Sequence, residues 1–153
     1  MKKEASPFKS LQLLHTAMLA GMVLFCVVSA VIHFSGKLTA NVSLNKVLQV
    51  TILAVTFASI KTGLSVFDRK LQAVPATAVP AEKFAIYRIA AIIKWISIEV
   101  PVLCAAVCFM ITRNYAFIAL AFALIIFFFL QAPSQIKVML QLKLSEPGFD
   151  SLQ

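Results

Sequence analysis

The chain has 153 residues, 61% of them hydrophobic and 13% charged, with a mean hydropathy of +0.93. Soluble domains carry roughly a quarter charged residues, so the composition excludes an ordinary water-soluble fold and implies a single membrane-embedded domain over 1–153. The net charge of +8 would suit nucleic acid, but the basic residues sit between apolar runs rather than on one amphipathic surface, which excludes that partner and leaves the lipid bilayer.

In chain order the apolar runs are Leu11 to Phe34, Leu44 to Phe67, about Phe84 to Thr112, and Tyr115 to Ala132. About 20 residues cross a hydrocarbon layer of about 30 Å, and a spanning backbone must satisfy its own hydrogen bonds. The expectation is an all-α polytopic membrane protein of four transmembrane helices. A competing reading of the first run is a secretory signal, Met18 to Ala30, ending in Val28-Ser29-Ala30. The apolar character continues through Val31, Ile32 and Phe34, which favours a retained span over cleavage near residue 30.

His15, Met22, Cys26, Ser29 and His33 fall on one line of the first helix. Soft donors on one face would suit copper, but the two histidines lie about 27 Å apart by helical rise. The line therefore reads as a packing face, and no metal site is expected. Thr56, Ser59 and Gly63 in the second run, and Ala119 and Ala123 in the fourth, likewise read as close-packing positions. Cys26, Cys104 and Cys108 contain no CxxC and read as small apolar residues packed among helices.

Asp68 to Lys83 contains two prolines and reads as a loop, with a helix starting at about Ala81 to Glu82. Thr112 to Tyr115 is a tight turn, which makes the last two spans an antiparallel hairpin. Pro133 closes the fourth helix. Beyond it, residues 134–144 place Ile136, Met139, Leu140 and Leu144 near helical spacing, as a short interfacial helix or a straight extension of the fourth. Gly21 to Ile32 also aligns with Glu99 to Met110, Cys26 over Cys104, which suggests two duplicated hairpins related as parallel repeats.

Nine basic residues (Lys2, Lys3, Lys9, Arg69, Lys70, Lys83, Arg88, Lys137 and Lys143) fall on one side of these spans, against Lys37, Lys46 and Arg113 on the other. The positive-inside rule then places both termini on the cytoplasmic side of an inner (plasma) membrane.

Glu99 stands in the middle of the oily stretch Ile92 to Val107, near the middle of the third run. A charge at the bilayer centre costs about 2.5–3.5 kcal/mol, so this carboxyl is either neutral or paired. Lys61 and Lys94 are candidate cations, although Lys94 lies about 140° around the helix from Glu99 and both stems are long enough to snorkel toward the interface. Arg88 and Trp95 share the stripe of Glu99. Pro101 lacks an N–H and leaves the carbonyl of Ser97 without its helical donor. Glu99, Lys94, Lys61, Trp95, Arg88 and Pro101 are thus the intramembrane polar candidates. Glu99 reads as helix glue, as a proton or cation carrier, or as a ligand contact. No nucleophile–base set, phosphate loop or cofactor motif is present, so neither enzymatic activity nor a cofactor is expected.

The residues Glu82-Lys83, Tyr87-Arg88, Ile92-Ile93 and Glu99-x-Pro101 resemble the third-helix pattern of a group of small, uncharacterised four-span bacterial membrane proteins. That resemblance covers mainly 82–112 and implies no activity. The chain is also faintly similar to rotary-ATPase proteolipids, whose proton-carrying glutamate Glu99 would match, but it has only four glycines where those proteins have glycine-rich first helices. The functional expectation is a non-enzymatic helical bundle acting as a homo-oligomer or accessory subunit of a membrane-protein partner. The alternative is a small proton- or cation-coupled transporter or channel using Glu99.

Overall fold

A computed structural model describes residues 6–36, 42–75 and 77–143. Among the described residues the chain is helical, without strands: α1 Pro7–Phe34, α2 Asn45–Gln72, α3 Pro80–Thr112, α4 Tyr115–Leu130 and α5 Gln135–Leu142. A single 3-10 turn, Val42–Leu44, leads into α2. Lys2, Lys3, Lys37 and Leu144, used in the sequence reading, lie outside the described residues.

Local chemistry sets the ends. Ser6 caps α1 through its hydroxyl, which accepts from the Lys9 N–H, with Pro7 in the first helical position. The helix therefore starts four residues before the apolar run. The second run extends similarly: α2 continues through Asp68, Arg69 and Lys70 to Gln72, because nothing breaks it before Pro75 and basic side chains suit a helix C-terminus. The loop expected over 68–83 thus shrinks to the interval between Gln72 and Pro80. The turn between α3 and α4 is as tight as its sequence implies. Arg113 adopts the left-handed conformation (φ 56°), and the Asn114 side chain caps α4 by accepting from the Ala116 N–H.

Three helices, α1, α2 and α3, are each long and apolar enough to cross a membrane. The fourth run forms a shorter helix than expected: α4 stops at Leu130 after 16 residues, and the chain turns by 71° into α5. At 1.5 Å per residue α4 covers about 24 Å, short of a hydrocarbon layer. It qualifies as a span only together with α5. The bend also rules out a straight extension of α4 over 134–142. Gln131, Ala132 and Pro133 interrupt the helix, and Ser134 recaps the chain by accepting from the Lys137 N–H.

The central helix is α3, which packs on α1, α2 and α4 and touches α5. Ala90, Ala91, Ala105 and Ala106 are buried along it and let neighbouring backbones approach, while Trp95, Ile98, Val102 and Phe109 fill the space between. The line His15, Met22, Cys26, Ser29 and His33 is buried, as a packing face should be. Thr56 and Gly63 are buried on α2. Ala119 and Ala123 are not: both are exposed, and Ala121 and Phe117 carry the packing of α4. Cys104 is exposed as well, whereas Cys26 and Cys108 are buried. The two hairpins also differ in packing: α3 and α4 lie against each other, while α1 and α2 each pack mainly on α3.

Candidate functional site

The polar groups inside the bundle gather at two heights. The first surrounds Pro101. Its missing N–H leaves the Ser97 carbonyl open, and the Ser59 hydroxyl of α2 donates to that carbonyl at 2.8 Å. The Ser97 hydroxyl donates back to the Ile93 carbonyl at 2.8 Å. Gly63 is what brings α2 this close, since a Cβ there would run into the Cβ and Oγ of Ser97. Proline on one helix and serine and glycine on the next therefore form one interlock. Thr56, buried a turn before Ser59, has a hydroxyl with no partner among the described residues.

The second height is the end of α4. Lys94 is 8% exposed; its Nζ donates to Gln131 Oε1 at 3.2 Å and sits 4.2 Å from the centre of the Phe67 ring. The long Lys94 stem reaches the end of the bundle where α4 stops, and its ammonium meets Gln131 and Phe67 there. The ammonium is held between an amide and an aromatic face because α4 ends at its level and offers both an acceptor and a helix C-terminus. His15 completes the group: Nε2 lies 3.1 Å from the Phe128 carbonyl, and the ring stacks on Phe128 at 4.5 Å and meets Trp95 edge-on at 4.9 Å. Lys137 donates to the Leu130 and Ala132 carbonyls from α5, and Gln12 donates to the Pro133 carbonyl from α1. Basic and amide groups from α1 and α5 thus meet backbone carbonyls at the end of α4, while Lys94 of α3 takes the Gln131 side-chain amide.

Glu99 belongs to neither group. It is half-buried on α3 and has no hydrogen-bond or ion-pair partner among the described residues. Its chain neighbours Ile96 and Val100 are exposed, while Trp95, one turn earlier, is fully buried. Glu99 therefore sits at the border between the outward stripe of α3 and its packed face. Lys94 lies across the helix in the interlocked interior. Lys61 is exposed in an apolar groove between α2 and α4, beside Leu64 and Leu124. Neither candidate cation reaches Glu99. By helical rise Glu99 is about 7.5 Å from Lys94 and about 20 Å from Thr112, so it stands off-centre between the polar ends of the bundle. Arg88 is exposed and also unpartnered among the described residues.

Sequence reasoning missed Gln131, Ser59 as the partner of Ser97, and the end of α4 as an acceptor. The signal for Ser59 was present: a proline four residues after Ser97 creates an acceptor, and a small-residue face with a hydroxyl on the neighbouring span can answer it. At the other end of the bundle, Asn114 Nδ2 donates to Asn45 Oδ1 at 2.8 Å and ties the α3–α4 turn to the start of α2. Among the described residues no group of three or more histidine, cysteine or acidic side chains could hold a metal ion.

No family model, curated protein or solved structure matches this chain.

Proposed function

We propose that the protein is a non-enzymatic helical bundle of the membrane that works by association, as an oligomer or as an accessory subunit, through the flank of α3 that carries Glu99. One observation carries the reading: the interior polar groups Lys94, Ser97, Ser59 and His15 find partners within the chain, whereas Glu99 does not and stands at the edge of the outward stripe. A lone carboxyl beside lipid is costly, and a donor from a neighbouring transmembrane helix offsets that cost. Proton or cation transport has less support, because the cations that could serve a relay, Lys94 and Lys61, both lie away from Glu99. In this reading the protein is a bacterial inner-membrane protein, with the bent α4–α5 pair acting as the fourth span and both termini cytoplasmic. The resemblance to small four-span membrane proteins adds no activity to it.

The test is a photo-crosslinking side chain at Leu103, one turn from Glu99, in native membranes. Association predicts an adduct of defined mass that weakens at least several-fold with Glu99→Leu and persists with Glu99→Gln, since an amide keeps the hydrogen bonding. Adducts to lipid alone, unchanged by either substitution, would remove the reading. A pH-gradient-driven flux in vesicles that Glu99→Gln abolishes would replace it with transport.

A further inference from the structure

On the same face of α3 as Glu99, but toward its first turns, lies a trough of about 500 Å³. Ala81 and Ala85, one turn apart, form its floor because they carry no bulk. Phe84, Ile89 and Ile92 wall it, Pro7 at the start of α1 closes one side, and among the described residues Arg88 is its only charged group. We propose that this trough seats an anionic diacyl phospholipid, with the phosphate on Arg88 and one acyl chain running along Ala85, Ile89 and Ile92.

Three observations converge on that occupant. The first is depth. α4 ends at Leu130, the chain bends by 71°, and the Lys94 ammonium reaches Gln131 at that level, which marks the edge of the apolar layer. Arg88 lies six residues nearer the start of α3 than Lys94, about 9 Å by rise. The headgroup zone beyond the hydrocarbon is about 5–7 Å deep on each side, and the arginine stem can cover the remainder. The second is valence. Arg88 has no partner among the described residues, and its planar fork matches two oxygens of a phosphodiester. The third is charge. Lys9, Arg69, Lys70 and Lys83 stand at the same end of the bundle, so a headgroup with net negative charge is favoured over a zwitterionic one. An apolar wall with a single guanidinium at its mouth suits an amphiphile better than a soluble anion. This inference does not depend on Glu99 or on association.

The full chain has one tryptophan, Trp95, three residues beyond Ile92, which makes it a reporter for this trough. The experiment reconstitutes the protein in phosphatidylcholine vesicles and titrates in either phosphatidylglycerol or phosphatidylcholine with brominated chains, reading the quenching of Trp95. The anionic lipid should compete about fivefold better, the factor that corresponds to about 1 kcal/mol for a basic residue near the surface. Arg88→Gln should bring that ratio close to one, and Lys46→Gln, at the opposite end of the bundle, should leave it unchanged. Ala85→Leu fills the floor and should reduce quenching by both lipids, which keeps the test decisive if Arg88→Gln does not fold. Equal quenching by both lipids in the unmodified protein would overturn the proposal and leave the trough to a protein helix. An anionic preference that survives Arg88→Gln and Ala85→Leu would overturn it equally, by assigning the preference to diffuse charge elsewhere.

Discussion

Ser59 and Pro101 bear on each other through one atom, the carbonyl oxygen of Ser97. In the unmodified chain Ser59→Ala leaves that oxygen without a donor, and interhelical hydrogen bonds in membranes are worth about 0.6–1.7 kcal/mol. In a Pro101→Ala background residue 101 regains an N–H that can donate to the same carbonyl, so Ser59→Ala should then cost close to nothing. Unfolding free energies in mixed micelles for the four proteins of this cycle test the idea, and equal costs in both backgrounds would sink it. A second cycle concerns Lys94. Gln131→Leu strands a buried ammonium and should destabilise by about 1–3 kcal/mol, while adding Lys94→Met should recover most of that loss, because removing both partners leaves no uncompensated charge. If the double variant is no more stable than Gln131→Leu alone, the Lys94–Gln131 bond is not what holds the end of α4. Of these two local arrangements the first was half legible in the sequence: Pro101 announces a free carbonyl, but not which helix answers it.

At the scale of elements, α4 and α5 hold the main surprise. The apolar run from Tyr115 to Ala132 looks like a fourth span, and composition alone cannot say that helix hydrogen bonding stops at Leu130. Pro133 follows too closely for the helix to run on, and Gln131 turns inward to Lys94 instead of extending the helix. The α5 helix then depends on its own start. Ser134→Ala removes the hydroxyl that accepts from Lys137 and should cost about 0.5–2 kcal/mol of local stability. Amide exchange over Gln135–Leu142 should speed up by roughly two- to thirtyfold, while the central turns of α3 keep their protection. Unchanged exchange in α5 would mean that Val138 and Leu142, both buried, hold it without the cap.

For the whole molecule the arrangement of charge can be tested directly. Among the described residues Lys9, Arg69, Lys70, Lys83, Arg88, Lys137 and Lys143 collect at one end of the bundle, and Lys46 and Arg113 stand at the other. The grooves that join these elements, Gln12 with Pro133 and Leu71 with Lys83 and Gln141, place the start of α1, the α2–α3 connection and α5 together. In the proposed orientation, which follows the positive-inside rule, that end faces the cytoplasm. In a cysteine-free background, a cysteine at Val74 should react with a membrane-impermeant maleimide only after cells are opened, and one at Tyr115 should react in intact cells. The reverse pattern would invert the orientation.

The sequence by itself determined three helices long and apolar enough to cross a membrane, the α3–α4 turn and the buried face of α1. Each rests on a property that one segment carries alone: the length of an apolar run, a short polar break between two such runs, or the spacing of His15, Met22, Cys26, Ser29 and His33 around one helix. Only the tertiary structure decided that Lys94 is buried against Gln131 and Phe67, that Ala119 and Ala123 face outward, that α4 ends short and bends, and that Glu99 has no partner within the chain. These depend on which neighbour stands at which height. A helix's own periodicity fixes the angles between its side chains, but a hydrogen bond across helices also needs the rotation and offset of the second helix, and those are set by packing over the whole interface, here by Gly63 against Ser97 and by the alanines of α3.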